Sequence, residues 1–200
     1  MNDENAWIRQ AQKGSDEAFT NLVETYQKPV YNLCYRMLGE PEVAEDAAQE
    51  TFLRAYQSLN RYDASRPFGT WLLSIAAHYC IDRLRKKKFT VFSVDAEDED
   101  GMTIELADPS SPDPEGESVK RADRDRLHMY LKNLDETDRA AVVMRYWHDY
   151  SEVEIAEALN LTVSAVKSRL HRSRRALAGM WQADGLPARP ERMSHESLAF

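Results

Sequence analysis

The chain has 200 residues, 42% of them hydrophobic and 30% charged, enough for one or two small packed domains. With only 7 Gly and 8 Pro it lacks the turn residues of a loop-rich β protein, and its longer segments carry helical periodicity. A net charge of −8 would exclude a nucleic-acid partner only if it were evenly spread, and it is not.

Residues 1–92 hold 12 basic and 12 acidic side chains, residues 93–118 hold 0 and 10, residues 119–184 hold 12 and 10, and residues 185–200 hold 2 and 2. The acidity sits in one short stretch, so both flanks are free to present basic faces. Cys34 and Cys80 fall inside apolar helical patterns, which suits small buried thiols in a reducing compartment rather than a disulfide framework. The start, MNDENAWIRQ, is polar and acidic, unlike a signal peptide. The longest apolar run, WLLSIAAHYCI, is interrupted by Ser74 and His78. These features predict a cytoplasmic protein with no membrane insertion.

The first segment reads as a string of helices. Ser15 is placed to cap a helix whose apolar residues Phe19, Leu22, Val23 and Tyr26 recur at helical spacing. Pro29 is expected to restart the chain, after which Val30, Leu33, Cys34 and Leu38 continue a stripe that ends at Gly39. Pro41 suits the first turn of the next helix, where Ala44, Ala47, Ala48, Thr51 and Ala55 form a side small enough for close helix approach. On the opposite side Asp46, Gln49, Glu50 and Leu53 form a polar stripe with one apolar member, either a solvated face or a partner surface.

After the loop NRYDASRP comes a helix expected from about Phe68 to Lys88. Its C-terminal RLRKKK is more basic than dipole complementarity at a helix end requires. One face carries Trp71, Ser74, His78 and Arg85, and the preceding loop adds Tyr62, Arg66 and Phe68. Aromatic rings interleaved with cations suit the unstacked bases of a single strand, although Trp71 and Phe68 would equally serve as core.

Residues 91–119 are acidic, Pro-rich in their second half and aperiodic, as in a flexible linker. Beyond them Leu127, Tyr130, Leu131 and Leu134 resume a helical stripe, and Asp135 or Thr137 is positioned to cap another helix. SEVEIAEALNLTVSAVKSRLHRSRRAL then has the layout of a helix-turn-helix. Ser151 and Glu154 have capping-box spacing, Asn160 tolerates the left-handed turn, Leu161 plugs it, and Thr162 caps the second helix. Ser164, Lys167, Ser168, His171, Arg172 and Arg175 are expected to point outward, and no acid interrupts the interval holding Lys167, Arg169, Arg172, Arg174 and Arg175. Such a helix suits DNA phosphates and the major groove; as a pattern alone it also fits a basic surface helix of a bundle. The tail after Trp181 has no pattern and is expected to be disordered.

The motifs AEDAAQETFLRAY, FGTWLLSIAAHYCIDRLRKKK and EIAEALNLTVSAVKSRLHRSRRAL, in that order and around such a linker, resemble bacterial RNA polymerase sigma factors of the extracytoplasmic-function (ECF) subgroup. The resemblance implies an all-α fold of two small helical domains. Residues 1–90 would be the family's region 2, 91–119 an acidic linker threading the polymerase, 120–181 the region 4 helix-turn-helix, and 182–200 a tail without counterpart.

It further implies that Asp46, Gln49, Glu50 and Leu53 bind the clamp of the largest subunit of core polymerase, while the flap of the second subunit is also contacted. Tyr62, Arg66, Phe68, Trp71, Ser74, His78 and Arg85 would handle the minus-ten element, with Tyr62 and His78 lining a pocket for an exposed base. Ser164, Lys167, Ser168, Arg169, His171, Arg172 and Arg175 would read the minus-thirty-five element as duplex. An anti-sigma partner and a role in a stress or envelope response are implied too. No cofactor is expected. Catalysis is not expected either, since zinc-ligand spacings, a phosphate-cradling loop and a GxSxG elbow are missing. The alternative is a stand-alone helix-turn-helix regulator, which leaves the Trp71 cluster without a purpose.

Overall fold

A computed structural model of the chain describes residues 3–64, 66–93, 123 and 125–184. Helices are α1 (Asp3–Ala11), α2 (Asp16–Leu38), α3 (Pro41–Ser58), α4 (Phe68–Ser93), α5 (125–132), α6 (Glu136–Trp147), α7 (Glu152–Ala158) and α8 (Val163–Ala183). A 3₁₀ turn, Leu59–Arg61, follows α3. No strand occurs among the described residues, so the fold is all-α, with α1–α4 and α5–α8 as two helical domains. The expected linker lies mostly, and the expected tail almost wholly, outside the described residues.

In the first domain α2 is the central element, packed on α1, α3 and α4. Its start is held by the Ser15 hydroxyl, which accepts from the Ala18 N–H at 3.3 Å. Its end is closed at Gly39, whose φ of +84° no L side chain adopts comfortably. Contrary to the expectation from Pro29, α2 runs through that residue as one 23-residue helix. Thr25, whose carbonyl loses the missing N–H, is exposed to water, and buried Leu22, Val30 and Leu33 anchor the helix on both sides of the gap. The small side of α3 packs as expected, with Ala44, Ala47, Ala48, Thr51 and Ala55 all buried. Buried Thr51 satisfies its hydroxyl by donating to Ala47 O at 2.7 Å. Helix α1 is held by the burial of Ile8 and Ala11 and by Glu4, which accepts from the Tyr26 hydroxyl at 2.8 Å. Cys34 and Cys80 are free thiols in the core.

In the second domain Asp135, not Thr137, caps α6, accepting from the Thr137 N–H. The capping box of α7 forms in both directions between Ser151 and Glu154. Asn160 adopts φ +54° in the tight turn, Leu161 N–H reaches Ala156 O at 2.8 Å, and Thr162 caps α8. A helix-turn-helix results, with α8 packed on α6 and α7 through Val166, Leu170 and Ser173. No described helix is long and apolar enough to cross a membrane.

Candidate nucleic-acid interface

Three surfaces emerge from these helices. The first is an open groove of roughly 500 Å³ between α3 and α4. Asp46, Gln49, Glu50 and Leu53 line one side, and Tyr79 and Arg83 of α4 line the other. Leu53 is 51% exposed, unusual for a leucine in an otherwise well-packed helix. Arg54 is braced by Glu50 at 2.7 Å and lies over the Tyr79 ring at 4.7 Å, which fixes the floor near the groove. Tyr79 and Arg83 were not singled out from the sequence. Their signal was a second α4 stripe, Tyr79, Asp82, Arg83 and Lys86, offset from the Trp71 face.

The second surface is the start of α4 with the loop before it. Tyr62, Phe68 and Trp71 form a nest of rings with centroids 5.0 to 5.4 Å apart. Phe68 is only 2% exposed and also meets Tyr26, whose ring sits over Gly69 so closely that a Cβ there would lie 3.0 Å from it. Tyr62 is 8% exposed and donates its hydroxyl to Arg66 O. Burial, then the charges of Glu4 and Asp63, raises its phenol pKa. Of the two fates the pattern left open for Phe68 it takes the core one, and Tyr62 is buried beside it. The aromatic loop folds inward because rings this close bury more apolar area together than apart. Trp71 is half-buried on top of the nest, and Arg66 is exposed.

Along the same face the Ser74 hydroxyl donates to Trp71 O at 2.7 Å. His78 Nδ1 lies 2.8 Å from Ser74 O, and since a carbonyl only accepts, that nitrogen is the donor. Nε2 faces the Asn160 amide at 3.5 Å. Arg85 donates to the Thr137 hydroxyl at 3.3 Å.

The third surface is the outer face of α8. Ser164, Lys167, Ser168, His171, Arg172 and Arg175 are exposed there. Lys167 is 3.7 Å from Glu152, while Arg172, Arg174 and Arg175 form no ion pair among the described residues. Arg169 departs from the expectation. It turns inward across α6, pairing with Asp138 and lying 3.7 Å from Asp135. Those aspartates stand in the first turn of α6 and at its cap, within reach of the inner side of α8, and a cation there finds a closer anion than any ligand outside. Burial would raise the Asp135 pKa, but N–H groups of Thr137 and Asp138, together with Arg169, hold it below the usual value.

Two family models match the chain: sigma-70 region 2 over residues 22–90 and sigma-70 region 4 over residues 124–177. The ECF RNA polymerase sigma factor SigW of Bacillus subtilis is 39% identical over 85% of this chain and 92% of its own length. The chain is an ECF sigma factor. The region 2 match takes in α3, α4, the groove and the ring nest, and the region 4 match takes in the helix-turn-helix. The solved structure of CnrH in complex with the cytosolic domain of CnrY superposes with a TM-score of 0.66 at 26% identity, over 92% of this ECF sigma factor and 99% of that chain. The sigma factor RpoE bound to the anti-sigma factor NepR from Bartonella quintana, at 19% identity and a TM-score of 0.66, shares the fold, covering 83% of this chain and 98% of its own.

Proposed function

We propose that this sigma factor docks on core RNA polymerase through the α3–α4 groove and reads a promoter with two separate faces. The observation that supports this most is the pairing of unlike nucleic-acid surfaces on two domains. One is a half-buried tryptophan among hydrogen-bonding and cationic side chains, and the other is an exposed basic helix with no acid along it. The first suits an unstacked strand and the second suits duplex phosphates.

In this reading Asp46, Gln49, Glu50 and Leu53 bind the clamp of the largest subunit, and the second domain meets the flap of the second. Arg66, Trp71, Ser74, His78 and Arg85 contact the melted minus-ten strand, with Tyr62 and Phe68 supporting Trp71 from below. Ser164, Lys167, Ser168, His171, Arg172 and Arg175 contact the minus-thirty-five duplex, and Arg169 orients α8. The protein acts in the cytoplasm, without catalysis of its own, in a stress or envelope response. An anti-sigma partner holds it until then, by analogy with the sigma factor RpoE, solved in complex with the anti-sigma factor NepR.

The test is co-elution with bacterial core polymerase followed by transcription from a genomic template library. Co-elution with discrete start sites is the expected result. Specific duplex binding by a chain that ignores core polymerase would overturn the reading in favour of a stand-alone regulator.

A further inference from the structure

Helix α1 takes no part in the three surfaces, yet its polar side chains are spent on the segment that carries the ring nest. Gln12, just past the end of α1, donates its amide to Leu59 O at 3.0 Å. Leu59 opens the 3₁₀ turn that leads into Tyr62. Glu4, in the first turn of α1, accepts from the hydroxyl of Tyr26, a residue of α2, at 2.8 Å. Tyr26 in turn touches α4. Its ring meets Phe68 edge-on at 5.4 Å. A Cβ on Gly69 would lie 3.0 Å from its Cε1 and 3.3 Å from its hydroxyl, so the ring rests against the backbone of the first turn of α4.

The stretch 59–69 is thus gripped at both ends. Gln12 holds it at Leu59, and Tyr26, itself held by Glu4, fixes it at Phe68 and Gly69. The rings so placed are the ones Trp71 lies on, Tyr62 at 5.0 Å and Phe68 at 5.4 Å. Helix α1 fully buries only Ile8 and Ala11, a thin contribution to the core beside these polar grips. A loop ordered before a ligand arrives loses no further conformational entropy at the binding step, and its side chains meet the ligand in one geometry.

We propose that Glu4, Tyr26 and Gln12 are positioning residues for promoter melting: through them α1 holds the loop and the first turn of α4 in the geometry that presents Trp71 to an unstacked base, and none of the three touches DNA. The proposal rests on the reading of Trp71 given under Proposed function. It gives a task to a helix that lies outside the polymerase groove and outside both DNA faces. Glu4 and Tyr26 act through one shared bond, so losing either partner, or both, has the same effect on promoter opening. Glutamine in place of Glu4 keeps an acceptor oxygen for the tyrosine hydroxyl and preserves that opening.

The test uses the full chain assembled with bacterial core polymerase, on promoters that the unaltered holoenzyme selects from the genomic template library. Opening is read by permanganate reactivity of melted thymines, and duplex occupancy by mobility shift. Glu4→Ala, Tyr26→Phe and the double variant are each expected to lower opening by one common factor, about threefold or more, with core co-elution and duplex occupancy unchanged. Gln12→Met, which removes the donor at the other end of the loop, is expected to lower opening too. Glu4→Gln is expected to stay within about twofold of the unaltered chain. Full opening by Glu4→Ala and Tyr26→Phe would overturn the proposal. So would a Glu4→Gln chain as impaired as Glu4→Ala, or losses that add in the double variant. Loss of helicity or of core co-elution alongside opening would also overturn it, by showing general damage in place of positioning. Trp71→Ala separates the two readings. If it opens promoters as the unaltered chain does, the α4 reading has failed and the positioning role falls with it; if it is impaired while Glu4→Ala is not, only the positioning role falls.

Discussion

Arg169 and Arg172 are three residues apart on one helix, both arginine, and the structure gives them opposite tasks. The Arg169 side chain is 28% exposed and its partner Asp138 is 15% exposed, so the pair lies between the surface and buried regimes. Exposed pairs contribute about 0–1 kcal/mol, and breaking a fully buried one costs about 3–5 kcal/mol. Discounted for solvent screening, Arg169→Ala is expected to cost roughly 1–2 kcal/mol, because Asp138 is left without its cation. For a chain of this size that corresponds to a fall in Tm of about 2–8 °C. Arg172 is exposed and forms no ion pair among the described residues, so Arg172→Ala should leave Tm unchanged. Duplex affinity over a salt series then discriminates between them. Arg172→Ala should lower the salt slope by about one counterion, and Arg169→Ala should leave the slope intact while weakening binding through misorientation of α8. An Arg169→Ala chain with native Tm and a reduced salt slope would refute the assignment and return Arg169 to the DNA face.

Acidification should separate the two helical domains where Arg139 of α6 donates to Met37 O of α2 and His128 meets Tyr35. Burial, then the charge of Arg36, lowers the pKa of His128 from 6.5 to about 4, against weaker support from Asp125 and with Lys132 and Arg139 adding to the fall. His148, also lowered to about 4 by burial and Arg36 with only Asp149 opposing, behaves alike. Both rings are neutral in the closed form, so their contribution is complete above pH 6.5 and is lost progressively as pH falls from there toward 4. At pH 5.5 each histidine exposed by separation favours the separated form by up to about tenfold, and the distance between dyes attached to α2 and α6 should lengthen. A distance constant from pH 7.5 to 5 would refute it. Leu53→Asp should weaken association with core polymerase by about tenfold or more without loss of helicity, since the side chain already faces water; full co-elution would remove α3 from the interface. Trp71→Ala should impair promoter opening, read by permanganate footprinting, more than duplex binding; equal losses would make the tryptophan a purely structural member of the ring nest.

Local chemistry was legible from residues alone. Ser15, Gly39, Pro41, Ser151 with Glu154, Asn160 and Thr162 each act within about four residues of themselves, and each occupies the cap, turn or first-turn position its chemistry suggests. The small side of α3 and the outward stripe bearing Leu53 followed from helical period. Helix α1 escaped because a nine-residue helix that buries only Ile8 and Ala11 has too thin a stripe to register. Pro29 misled because its local preference is overridden by leucine and valine packing contributed from other helices.

What tertiary structure decided was the fate of side chains whose partners are distant in sequence. Tyr62 and Phe68 close on Trp71 and Tyr26, Tyr79 and Arg83 complete a groove begun by α3, and Arg169 finds Asp138 31 residues away. Arg139 donates across 102 residues to a carbonyl, a partner with no side-chain signature at all. The sequence by itself determined which residues could be helix, cap, cation or aromatic, because those are properties of a few neighbouring groups. Which cation meets DNA and which meets an aspartate, and which ring is surface and which is core, depended on packing between helices, where proximity in space is unrelated to proximity along the chain.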